Sequence, residues 1–243
     1  MHRTLASTPP RRRQRGLSLV ELMVAVAIGL FMLSGFAASF VGVKRSFVAQ
    51  GRLAALQDDE RLALGLLVAT VQAAGYHPDP FNQPAPLALP AADTPSGRFA
   101  PGQGLVGTGA AGAATSLTTR YVVAPGETLA DCAGRRNETG APQLVVNTYT
   151  VGADNTLRCS VDGGATSIAL VSQVQSLTVL YGAAVDDRHV DRYLSADEVT
   201  AAGLWERVRS ARITVRFVNP YAGTPGEPAT IDWMQHVNLM NRT

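Results

Sequence analysis

Glu21 is a carboxylate set inside an apolar run, RGLSLVELMVAVAIGLF, residues 15–31. The chemistry open to it is charge pairing. A charge at the centre of a bilayer costs about 2.5–3.5 kcal/mol on insertion scales, so an intramembrane acid has a function or a partner. Gly16 lies just before the run and directly after a basic cluster. Cleavage there would remove the basic cluster and keep the apolar run. Cys132 and Cys159 are the two thiols, 27 positions apart, with no CxxC pair and no Cys/His set at zinc spacing. They fit one disulfide in an oxidising compartment, with two buried free thiols as the other reading. A loop of that size, once closed, stabilises a fold by roughly 3 kcal/mol in the chain-entropy model.

Other candidates are weaker. Asp186-Asp187-Arg188-His189-Val190-Asp191 is the one metal-like cluster. Calcium loops need several carboxylates and a turn glycine. This stretch has no glycine and an arginine in its middle, so it reads as a solvated loop. His2, His77, His189 and His236 are scattered. GxSxG, HExxH and GxxxxGK are all missing. GQGLVGTG, residues 102–109, follows a Pro-rich stretch rather than a strand and reads as plain loop. No residue is assigned to catalysis, to a metal or to a cofactor, and no small-molecule substrate is expected.

The elements that carry these residues follow from patterning. Residues 1–16 hold Arg3, Arg11, Arg12, Arg13 and Arg15 and no acid, and read as a leader. Taking those five from the 21 basic residues leaves 16 against 19 acids, a net of −3 for the remainder. That balance gives no bulk electrostatic case for nucleic-acid binding. Residues 17–43 carry one charge, Glu21, and as a helix reach about 40 Å, enough to cross a bilayer with tilt. The arginines stay cytoplasmic, which sends the C-terminal bulk across the membrane.

Residues 44–75 continue the helical pattern without proline. Leu53, Leu56, Ala63, Leu67, Val71 and Ala74 form one stripe, and Asp58-Asp59-Glu60-Arg61 lies largely off it. Gly75 and Pro78 end the helix. Residues 76–114 turn to Pro, Gly, Ala and Asn and read as a long loop with at most short elements. Strands are expected at 116–123, 143–151, 157–161, 167–171, 176–181, 210–218 and 230–239. Ser195–Trp205 reads as a short helix with Ser195 and Glu198 at capping-box spacing. Trp205 and Trp233 are expected in or near the core. The result is α+β: a long N-terminal helix on a mostly antiparallel sheet, with 76–243 as the globular domain.

The basic leader, Gly16 and LSLVE before an apolar helix resemble the class III signal of type IV prepilins and pseudopilins. That resemblance implies a type IV pilin-like fold. It implies cutting by a prepilin peptidase between Gly16 and Leu17, N-methylation of Leu17, and Glu21 as the fifth mature residue. There it pairs with the terminal amine of its own or a neighbouring subunit and sets register. Most members begin with Phe, and Leu17 departs from that. GLSLVELMVAVAIGLFMLSG, LQDDERLALGLLVATVQAAGY, QVQSLTVLYG (173–182), VDRYLSADEV (190–199), Trp205 with VRSARITVRF (208–217), and VNLMNR (237–242) are similar to segments of PilW-type minor pilins, in family order. Members often place a cysteine soon after AGY, whereas His77-Pro78-Asp79 stand here.

The resemblance implies a non-enzymatic minor pilin of the inner membrane. Its domain lies in the periplasm before it enters the pilus. Its partners are other minor pilins and the major pilin. A pseudopilin of a type II secretion system and a tip-located adhesin or DNA-binding module are the alternatives.

Overall fold

The computed structural model describes residues 16, 18–113, 115–161, 166–184 and 189–241. Leader residues 1–15, Leu17 and the Asp186-Asp187-Arg188 part of the acidic loop lie outside them. The chain divides into two compact units, Met1–Arg52 and Leu53–Thr243. One helix, α1 (Leu19–Ala73), contributes to both. Its 55 residues correspond to about 82 Å of helix.

In the first unit, every side chain of α1 from Leu19 to Val48 is exposed. Phe31 and Phe47 are 80% and 77% exposed. In the second unit, α1 buries Leu56, Glu60, Ala63, Leu67, Thr70 and Val71, a stripe at spacings of three and four. Two residues correct the expected stripe. Leu53 is 44% exposed, and Glu60, read as lying off the stripe, is 4% exposed. The 56–60–63–67 spacing places Glu60 inward whatever its charge.

The strands form two principal sheets rather than one. The first has order β3 (Leu105–Thr108), β4 (Ser116–Val123), β5 (Gln143–Val151), β6 (Leu157–Val161), β7 (Thr166–Val171). The second has order β11 (Thr230–Asn238), β10 (Val208–Val218), β8 (Val174–Ala183), β9 (Arg192–Leu194). Every pairing is antiparallel. A small hairpin, β1 (Ala92–Thr94) with β2 (Gly97–Phe99), and a one-turn helix, α2 (Ala85–Ala88), lie in the Pro-rich stretch. β7 and β8 are two residues apart yet belong to different sheets. Gln173, at φ 61°, turns the chain there, and its carbonyl accepts from Val218 N–H at 2.9 Å. That corner is why a reading by strand spacing alone merges the two sheets.

The core gathers the inner stripe of α1, both sheets and α3 (Ala196–Ala202). Ser195 caps α3: its hydroxyl accepts from Glu198 N–H, and the Glu198 carboxylate accepts from Ser195 N–H, the reciprocal pattern expected from the spacing. β4 is buried at all eight positions. Its residues Leu117 and Tyr121 share a face with Tyr149 of β5, whose hydroxyl bonds Thr70 of α1 at 2.8 Å. Arg120 points to the other face, under residues 89–103. The loop of 76–104 is therefore a second cover for the five-stranded sheet.

Candidate assembly site and the anchoring of its helix

Ser18 starts α1. Its Oγ accepts Glu21 N–H at 3.2 Å, and its carbonyl accepts Leu22 N–H at 3.1 Å. Glu21 stands at the third helical position, where the helix dipole favours a carboxylate by about 0.3–1 kcal/mol. Ser18-x-x-Glu21 is a capping-box spacing. The apolar surroundings drew attention to the cost of Glu21 and away from this cap. Gly16 and Glu21 are both exposed. From Leu19 to Val43 the side chains of α1 are exposed and, Glu21 apart, uncharged. The helix is long and apolar enough to cross a membrane.

The other end of α1 is fastened by backbone contacts. Gly75, at φ 81°, donates its N–H to Arg120 O at 2.9 Å. Val122 N–H donates to Tyr76 O at 2.8 Å, and Arg120 N–H to Gly104 O at 2.9 Å. A Cβ on Gly104 would collide with the backbone of Gly75, and one on Gly75 with the carbonyl of Asn241. Asn241 Nδ2 donates to Gln72 O at 2.9 Å. The QAAGY end of the helix, Gly104 of GQGLVGTG and Asn241 thus meet at one point. GQGLVGTG is correspondingly not plain loop: Leu105–Thr108 is strand β3, paired with Thr119–Ser116. Its glycines hid a four-residue strand, and one of them is what lets the helix end approach.

Arg120 holds the cover. Its guanidinium donates to the carbonyls of Gln103 (2.7 Å), Pro90 (2.5 Å), Leu89 (3.2 Å) and Ala100 (2.8 Å), and stacks 4.5 Å over the Phe99 ring. It is 1% exposed, and burial lowers its pKa to about 10, so it stays charged at neutral pH. A lone arginine in a strand pattern gave no sign of this role.

Cys132 and Cys159 are joined in a disulfide. It ties the excursion after β4 to buried Cys159 of β6. Polar bonds run alongside. Cys132 N–H donates to Asn147 Oδ1 (3.2 Å), Asn147 Nδ2 to Tyr121 Oη (3.1 Å), and Tyr121 Oη to Ala130 O (2.6 Å).

Glu60 is the acid that sequence reading missed. Burial raises its pKa to about 6, opposed by a hydrogen bond from the Trp233 side chain, and its Oε1 has no hydrogen-bond partner among the described residues. The Asp59 carboxyl is also raised, by burial and then by Asp58. Trp233 lies opposite buried Val215 and bonds Glu60, near the core as expected, yet is 42% exposed on β11, the edge strand of its sheet. Trp205 is half-buried and stands edge-on to Tyr181 at 4.9 Å.

Residues 11–37 match the model of the prokaryotic N-terminal methylation motif. Residues 134–233 match the model of the type IV pilus-assembly protein W. The chain is a PilW-like prepilin. No curated protein matches it. The first match spans Gly16, Leu17, the Ser18 cap and Glu21; the second spans Cys159, α3 and strands β5 to β10. The membrane-capable helix and the disulfide of this prepilin agree with the reading of its sequence. A prepilin of this kind is processed by a prepilin peptidase and assembles with other pilins.

Proposed function

We propose that this prepilin is a minor pilin that takes part in priming type IV pilus assembly. The peptidase cuts between Gly16 and Leu17, and Leu17 is then N-methylated. Residues 17–43 hold the mature chain in the inner membrane, with the domain in the periplasm. The chain then joins other minor pilins and the major pilin, and its part in twitching, adhesion or DNA uptake follows from the filament.

The observation that carries this is the uncovered apolar half of α1 with Glu21 in its first turn. Inside a helical bundle of low dielectric, pairing of Glu21 with a new terminal amine offsets the desolvation of both charges. The disulfide supports a periplasmic domain, because such bonds persist in oxidising compartments. The match to a pilus-assembly family favours the pilus over a type II secretion pseudopilus. The net of −3 after the leader weighs against a general DNA-binding module, and the family's structural character against an enzyme.

Two measurements test the reading. Deleting the gene should remove or sharply reduce surface pili; normal piliation overturns the assembly role. Glu21→Ala should be cleaved like the native chain yet fail to support piliation. Full piliation by that variant refutes the pairing of Glu21.

A further inference from the structure

A cleft of about 780 Å³ lies within the second unit, lined by β3 and the β1–β2 hairpin and by α3 and Trp205. That volume suits a small molecule rather than a folded partner.

β3 is an edge strand whose outer side is closed at both ends and open in the middle. Arg120 N–H bonds Gly104 O, and bonded and non-bonded pairs alternate along an antiparallel ladder, so residues 104, 106 and 108 face β4. Leu105, Gly107 and Gly109 turn their main-chain groups off the edge. Leu105 O accepts from Gln103 Nε2 at 2.6 Å. Gly109 N–H donates to Asp197 Oδ1 at 3.2 Å, and Gly109 O accepts from Asp197 N–H at 3.4 Å. Between them, the N–H and C=O of Gly107 have no such bond among the described residues. Gly107 is buried and lines the cleft. Buried main-chain groups are rarely left unpaired. A Cβ on Gly107 would collide with Tyr181 Oη, itself buried and without a hydrogen-bond partner among the described residues. The missing side chain makes room for that hydroxyl and leaves the amide bare.

Trp205 lines the same cleft, and its indole is held in one orientation. Nε1 donates to Thr200 Oγ1 at 3.0 Å, and Thr200 Oγ1 donates to Ala196 O at 2.8 Å. Tyr181 stands edge-on to the ring. A fixed aromatic ring offers the apolar C–H face of a pyranose a surface at little entropic cost. Charged side chains of both signs, Arg98 with Asp197 and Glu206, line the cleft, which suits a neutral ligand rich in hydroxyls better than an ion. An added peptide strand needs open main-chain groups at successive alternate residues. Gln103 and Asp197 leave one such residue, so the complement of Gly107 is a single amide.

We propose that this cleft binds an N-acetylhexosamine glycan, with an acetamido group on the Gly107 main chain and a pyranose ring on Trp205. Binding of this kind goes beyond the pilus role and does not depend on it. The test uses the full chain carrying Trp233→Phe, which leaves Trp205 as its one indole, in a detergent without sugar headgroups. Titration with N,N′-diacetylchitobiose should shift the Trp205 emission and saturate. Cellobiose, which lacks the acetamido groups, should leave it unchanged. Ala201→Phe, on the exposed side of α3, fills the cleft without entering the core and should abolish the response. Saturation-transfer NMR from the chain with both tryptophans to the acetamido methyls of chitobiose should show the same loss, and covers the case in which Trp233→Phe fails to fold. No saturable response, an equal response to both sugars, or a response kept in a folded Ala201→Phe chain overturns the proposal. Sedimentation with purified peptidoglycan sacculi separates two sources of the glycan. Co-sedimentation that Ala201→Phe abolishes assigns the ligand to the cell wall; chitobiose binding without co-sedimentation assigns it to a glycan outside the cell.

Discussion

Glu60 shows how a single side chain couples folding to pH. Its pKa is raised to about 6 by burial, from an ordinary value of 4.5. The folded chain therefore holds that proton more tightly than the unfolded chain does. The contribution of the group is most favourable below pH 4.5 and is lost as pH rises through about 6, a change of up to about 2 kcal/mol. Glu60→Gln removes the titration. Chemical denaturation of the two proteins at pH 5 and pH 7.5 should show the variant gaining relative stability at the higher pH, by about 1 kcal/mol, because part of the change is already complete at pH 5. A difference independent of pH would show that Glu60 does not titrate in this range. The acid run LQDDER gave no warning of this residue, because charge outweighed position in the sequence reading. The stripe of Leu56, Ala63 and Leu67 already pointed its spacing inward.

Arg120 works at the scale of an element. The segment 76–104 has little regular structure of its own: one turn of helix and a hairpin of two three-residue strands. Four of its carbonyls converge on one guanidinium. Replacing Arg120 by Met keeps the bulk and leaves those buried acceptors unmet, at a cost of more than about 3 kcal/mol. Limited proteolysis should then cut the variant between residues 76 and 104 well before the native protein. Equal resistance would mean the segment holds without its cation. Strands with clear alternation or turn chemistry were legible from the sequence: β4, β5 and β6 fall at the expected bounds, with Asn155 at φ 54° in the turn after β5. The division into two sheets was not legible, since the two-residue corner at Gln173 has the length of a hairpin turn. The cover over β4 was not legible either, because its contacts are made by carbonyls that every residue possesses.

For the molecule as a whole, the cross-link between Cys132 and Cys159 restrains a chain whose domain is rich in loops. Replacing both cysteines by serine should lower the stability of the domain by about 3 kcal/mol, read from denaturant midpoints under oxidising conditions. The native protein treated with reductant should fall to the same level. No change in either sample would show that the Tyr121–Asn147 bonds alone hold the excursion. The cysteines were visible in the sequence and so was the apolar helix; the residues that hold the C-terminal end of α1 to its domain were not, because Gly75 and Gly104 act by having no side chain.

The junction at Gly75 also has a mechanical side. A tug on α1 toward its N-terminus would load the bonds from Gly75 to Arg120, from Val122 to Tyr76 and from Asn241 to Gln72 together. Two of these lead into β4, the most enclosed strand, and the third into the last described turn of the chain. Tension would thus be divided between the middle and the end of the polypeptide, so the helix would be hard to peel from its domain one bond at a time.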